Sequence, residues 1–214
     1  MARPKRLTFT PSAVDVNSIF EDQTTAGSGA ISLDGADVAS GEWVSPDGLA
    51  HRISLESTGN ISAVTFTVAG FQDSQRHIAL SEDITGPNNA TVESSGYFAI
   101  ITSITVDGAV GTNTEGGFVD EFISQGVPLN NYGSRMGLNV IVSGTINYSL
   151  QQTFDDIQSL TDTINYINHD DSSVVSSTTS QNANYDKPPI ATRLVVNSYS
   201  SDAAIEFNIT QAAH

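Results

Sequence analysis

The chain has 214 residues, 24 of them Asp or Glu against 8 Lys or Arg, giving a formal net charge of −16, and it contains no cysteine. That length suffices for one large or two small domains with an apolar core, whereas the acidic balance excludes nucleic acid and anionic membrane as surface partners, since both require clustered Lys and Arg. Lacking cysteine, the chain has no disulfides, no thiolate nucleophile and no Cys-built zinc or iron–sulfur site. Ser and Thr together supply 48 residues, Lys only two, and charged residues only 15%. Helices favour Glu, Lys, Leu and Arg, so this composition points to extended strands whose polar faces carry Ser and Thr. No run of 18 apolar residues occurs, so no membrane-spanning helix is expected.

The opening Met1-Ala2-Arg3-Pro4-Lys5-Arg6 is basic and is not followed by an apolar stretch, so it does not read as a signal peptide; a soluble protein made in a cytoplasm is expected. From Leu7 onward there are 5 basic and 24 acidic residues, a net of −19. Residues 1–12 are therefore expected to form a basic arm, extended because Pro4 disfavours helix. Two readings stand: a frayed, solubilising terminus, or an assembly arm in which Arg3, Lys5 and Arg6 dock on an acidic neighbour, such as another copy of the chain.

Beyond the arm, short strands are expected near 29–33 and 41–45, with a turn at Asp34-Gly35. Period-2 alternation strengthens from Ala50 through His51-Arg52-Ile53-Ser54-Leu55-Glu56, and again over Ile61 to Val68, where Val64, Phe66 and Val68 face one way. Arg76 to Ser81 and Tyr97 to Val106 are further strands, separated by the turn signal Thr85-Gly86-Pro87-Asn88-Asn89. The Gly-rich segment 107–135 reads as a loop and a domain boundary. Gly137 to Leu150 alternates again, as one strand or a bent pair. Phe154, Ile157, Leu160, Ile164 and Ile167 have helical spacing, which makes 154–167 the best helix candidate. Residues 168–189 read as a polar loop, and Arg193 to Val196 with Ala204 to Thr210 as a hairpin. The expected fold is thus all-β: a β-sandwich or jelly-roll-like domain over 13–125, its body at about 50–125, and a second small β module over 136–214.

A catalytic constellation is not found. The motifs G-x-S-x-G, H-E-x-x-H, G-x-x-x-x-G-K-[ST] and G-x-G-x-x-G after a strand are all missing. The four glycines between Gly108 and Gly117 come without Lys or Arg and suit a flexible loop better than a phosphate cradle. Adjacent acidic pairs (Glu21-Asp22, Glu82-Asp83, Asp120-Glu121, Asp155-Asp156, Asp170-Asp171) do not supply the two facing carboxylates of a glycosidase, because strand neighbours point to opposite faces. His169-Asp170-Asp171, with Asp155, Asp156 and Asp162 nearby, has oxygen ligands for a hard cation but matches no EF-hand spacing and reads as a solvated loop. His51 and His77 lie in strand patterns as paired or rim residues. Sequons at Asn60, Asn89, Asn147 and Asn208 carry no weight without secretion. The expectation is no enzyme, no cofactor and no metal.

Several stretches carry a resemblance: Met1 to Phe9, Ile53 to Gly70, Ile84 to Val92, Tyr97-Phe98, Val142 to Asp156, Asn168-His169-Asp170 and Pro188 to Ser198. In texture and short motifs the chain resembles small structural proteins encoded in the morphogenesis regions of tailed bacteriophages. The resemblance implies a virion protein, first a capsid decoration (cement) protein, with a head–tail neck or tail component as the alternative. Partners would be further copies of itself and other virion proteins, such as the major capsid protein or neck and tail proteins. The reading from another class is a receptor- or glycan-binding module using the loops at 107–135 and 168–189.

Overall fold

The computed structural model describes residues 4–129, 135–158 and 164–211. The chain is nearly all β and divides into two compact units, residues 14–122 and residues 1–13 with 123–214. The described part of the basic segment belongs to the unit that also holds 123–214.

The unit 14–122 follows β1 (Lys5–Phe9) and contains β2 (Asp15–Gln23), β3 (Gly29–Ile31), β4 (Val38–Ala39), β5 (Glu42–Val44), β6 (Ala50–Asn60), β7 (Thr65–Phe71), β8 (Ala79–Thr85), β9 (Asn88–Phe98), β10 (Ile100–Val106) and β11 (Thr114–Ile123). One sheet runs β4-β5-β10-β7-β8, with β3 also on β10; the other runs β2-β11-β6-β9. Their inward faces share one core, in which Phe20, Trp43, Ile53, Leu55, Phe66, Val68, Phe98, Ile101, Ile104 and Phe118 are all buried. Alternation decides the inward set: on β7, Phe66 and Val68 are buried while Thr65, Thr67 and Ala69 are half-exposed.

The second unit contains β1, β12 (Val127–Pro128), β13 (Met136–Ser143), β14 (Ile146–Thr153), β15 (Ile167–Asn168), a short 3₁₀ turn (Ser172–Val174), β16 (Gln181–Tyr185), β17 (Ala191–Tyr199) and β18 (Ala204–Gln211). One sheet runs β1-β18-β13-β16, and β15-β14-β17 with β12 forms the other layer of this unit. Leu138, Val140, Tyr148, Leu150, Leu194, Val196, Ile205, Phe207 and Ile209 fill the space between them.

Four expectations are corrected. The predicted hairpin of 193–196 with 204–210 does not form: β17 pairs with β14 and β18 with β13, so two paired chains turn from one sheet into the other side by side. The corner is closed by Ser200 N–H to Thr145 O at 2.8 Å, and it requires Gly144, whose φ is +72° and whose Cβ, if present, would meet Ala203 Cα at 2.9 Å. The predicted loop 107–135 contains the ten-residue strand β11. Its Gly116 and Gly117 serve close packing, since a Cβ would come within 2.2 Å of the Phe20 ring and 1.9 Å of Asp15 O. The predicted polar loop 168–189 contains β16 and the 3₁₀ turn. Finally, residues 154–158 and 164–166 are irregular and Ile167 starts β15, while 159–163, with Leu160, lie outside the described residues. Phe154 and Ile167 are 62% and 55% exposed, so among the described residues the helical spacing lines up no buried face.

Candidate functional site

The basic segment is a strand. Residues Lys5–Phe9 pair antiparallel with β18, placing Lys5 opposite Ile209, Arg6 opposite Asn208 and Thr8 opposite Glu206. Lys5 is exposed, the Arg6 guanidinium is paired with the Glu206 carboxylate of the same chain, and Arg3 lies outside the described residues. Glu206 also accepts from Asn208 Nδ2 at 2.7 Å; Asn208 donates to Asn139 Oδ1 at 3.2 Å, and Asn139 to Asn182 Oδ1 at 2.8 Å. A polar row thus crosses all four strands, from Arg6 to Asn182. The alternating pattern could have hinted at it, because Asn139, Asn182 and Asn208 occupy outward positions, but the register that brings them together was not legible.

His51 and Asp47 form a closed polar cluster in the unit 14–122. The turn Ser45-Pro46-Asp47-Gly48 has proline second and glycine fourth, as a β-turn favours, and Gly48 N–H donates to Ser45 O at 3.0 Å. The turn returns Asp47 beneath β6, where it accepts from Ser45 Oγ at 2.8 Å, Leu49 N–H at 2.9 Å and His51 Nε2 at 3.0 Å. The His51 ring is wholly buried and lies 4.8 Å from the Phe118 centroid and 5.7 Å from that of Phe122. Enclosed in this way, His51 holds the turn to the core.

His169 is also buried, against Tyr185 at 4.6 Å, with Nδ1 accepting Asp171 N–H at 2.9 Å. Burial holds its pKa below the ordinary value, although Asp171 and Asp170 oppose that shift. Burial also pushes the Tyr185 phenol up to about 12, while that phenol donates to Thr192 Oγ1 at 3.2 Å. Asp171 caps the 3₁₀ turn through Ser173 N–H at 2.9 Å, so it is engaged in local structure. Among the described residues no group of three or more His, Asp or Glu side chains is disposed to hold a metal ion.

Other acidic pairs have similar structural employment. Glu82 accepts Ser95 N–H at 2.6 Å and Gly96 N–H at 2.8 Å; Asp83 accepts Thr67 Oγ1 at 2.7 Å. Glu121 and Glu93 both bind Arg52 at 3.1 Å, and Asp155 accepts Asn165 N–H at 2.7 Å. His77 and its backbone N–H are held by Asp73, which also accepts Ile78 N–H at 2.7 Å and so fixes the 72–78 loop. An acidic surface remains around Glu115, whose carboxyl is pushed up by burial and by Glu56, Asp22, Glu21 and Asp15. One arrangement lay beyond sequence reasoning altogether: Arg193 stacks on Tyr166, 3.8 Å from its ring centroid, and donates Nε and Nη2 to Gln151 Oε1 at 2.9 and 2.7 Å.

Comparison with models of known protein families gives no match, and comparison with curated protein sequences gives none either.

Proposed function

We propose that the chain is a structural protein of a tailed bacteriophage virion, acting through protein–protein contacts and first of all as a capsid decoration protein. The observation that carries this reading is the segregation of charge: Lys5 and Arg6 stand on an exposed strand while the chain from Leu7 onward has a net of −19. Self-repulsion keeps such copies apart in solution, and a cationic strand gives each one a place to meet an acidic neighbour. The titratable clusters support the same reading, because His51, His169 and the paired carboxylates are engaged in turns, caps and strand edges.

Copy number per purified particle, measured by quantitative mass spectrometry, is the test. A decoration protein is recovered in numbers comparable to the shell protein. Recovery in a small symmetric ring indicates the neck or tail alternative, and a few copies at the tail tip indicate a receptor binder. Absence from particles overturns the virion reading. Replacing Arg3, Lys5 and Arg6 with Ser should weaken particle binding and flatten its salt dependence; an unchanged salt series refutes the role given to the basic strand.

A further inference from the structure

Strand β1 is held differently from the strand it joins. Lys5, Arg6 and Thr8 are exposed and only Leu7 and Phe9 are half-buried. On β18 the inward residues Ile205, Phe207 and Ile209 are all 0% exposed, and an eight-residue register from Ala204 to Gln211 ties the strand to β13. β18 is thus anchored without β1. Removing β1 leaves a formed sheet edge, with unpaired backbone groups along Ile205 to Ile209 and the Glu206 carboxylate beside them.

The chain just after β1 is pinned. Pro11 is buried and Ser12 O accepts the Tyr199 hydroxyl at 2.9 Å. From that anchor an extended segment of six residues, Lys5 to Thr10, reaches about 20 Å. Little buried apolar surface and a fixed pivot are the conditions under which a local element opens at low free energy.

We propose that β1 is an exchangeable strand and that the β18 edge is a docking surface for residues 5–9 of a second copy of this chain. The second copy fits because it brings the same register: Leu7 against Phe207, Phe9 against Ile205, and Arg6 beside Glu206. The ladder hydrogen bonds and the ion pair that β1 gives up in its own chain are remade on the neighbour, so the exchange needs only opening at the pivot and close approach of the partners. The net charge opposes approach, but the local charge favours docking once copies are brought together, since Lys5 and Arg6 meet an edge that carries the Glu206 carboxylate. Within one chain the strand competes at high effective concentration, so exchange belongs to crowded or arrayed copies. The inference does not depend on the virion reading, and its test uses purified protein without particles.

The absence of cysteine makes the test clean. A Thr8→Cys chain and a Glu206→Cys chain, opposite one another in the ladder, are mixed, unfolded in urea, refolded together at high concentration and oxidised. Exchange predicts linked dimers dominated by the mixed pair, well above the statistical share. A labelled peptide of residues 4–10 provides a measurement on the unaltered chain, which should bind it. The Thr8→Cys/Glu206→Cys chain should lose peptide binding when its internal disulfide locks β1, and regain it on reduction. Linked dimers in statistical proportion, together with no peptide binding to the unaltered chain, overturn the proposal.

Discussion

Replacing Asp47 tests whether one buried carboxylate organises the 45–51 turn. In Asp47→Ala the Ser45 hydroxyl, the Leu49 N–H and the His51 Nε2 lose a common acceptor, and Ser45 and His51 are 3% and 0% exposed. A buried donor left without a partner costs roughly 1–3 kcal/mol. Two such donors, one of them a hydroxyl free to rotate, give an expected loss of about 3 kcal/mol, a large part of a typical domain's stability. Asp47→Asn keeps an oxygen for Ser45 and Leu49 and loses only the charge-assisted bond to His51, so it should cost about half as much. His51→Phe fits the aromatic surroundings of Phe118 and Phe122 but leaves the carboxylate, with a side chain 5% exposed, without that partner. The double variant should therefore lose less than the sum of the singles, by more than about 1 kcal/mol. Urea unfolding followed by emission of the single tryptophan is the assay, since Trp43 is fully buried in the same unit, 6.0 Å from Phe118. A loss below about 1 kcal/mol for Asp47→Ala, or strict additivity, refutes the argument.

Three further outcomes are expected. Gly117→Ala places a methyl 1.9 Å from Asp15 O, which forces β2 off β11; the Trp43-detected midpoint should fall by an amount equivalent to at least about 2 kcal/mol, and an unchanged midpoint means β2 is not held there. His169 has a folded pKa below its ordinary 6.5, so the unfolded chain binds the proton more readily, and the stability this group contributes is present above pH 6.5 and lost as pH falls below it. His169→Phe should remove that part of the acid-side slope, measured as the difference between the two chains in urea midpoints by circular dichroism, and identical slopes contradict it. Arg193→Lys keeps the charge but neither the planar stack on Tyr166 nor the paired donation to Gln151, so it should destabilise nearly as much as Arg193→Ala, by about 1 kcal/mol, and full rescue by Lys would show that charge alone matters.

The strands legible in the sequence are those whose two faces differ. Residues 51–56 and 64–68 alternate in polarity because one side meets the shared apolar core, although on β6 Ser54 of the opposite side is buried as well. β2 escapes that signal: Ser18, Ile19 and Phe20 are buried in succession, the register with β11 shifts twice, and Asp22 has φ +39°. Glycine misled in β11, where it reads as a breaker but is needed for close approach of the Phe20 ring and the β2 backbone. The β9–β10 break was hidden for the opposite reason. Phe98, Ala99 and Ile100 are all buried, so the apolar run continues through the point where the chain leaves one sheet for the other. The 154–167 spacing misled because period alone does not say what a face will meet, and Phe154 and Ile167 meet solvent.

The candidate chemistry was less legible than the fold because partners lie far apart in the chain. Arg6 finds Glu206 across 200 residues, and Arg52 finds Glu121 across 69. Asp and Glu are the cheapest acceptors for backbone N–H groups at places where a ladder stops, and an all-β chain has many such places. Glu82 on β9, Asp107 on Thr65 N–H and Asp34 on Glu21 N–H each terminate or brace an edge. Part of the acidic excess is thereby explained by architecture, without a substrate. Around Glu115 a further acidic group gathers, where burial first and then Glu56, Asp22, Glu21 and Asp15 push the Glu115 carboxyl up, so that its ionised form is held there at a cost. Under the virion reading proposed above, such a surface keeps unassembled copies apart, and the strand bearing Lys5 and Arg6 is the cationic feature the same chain supplies.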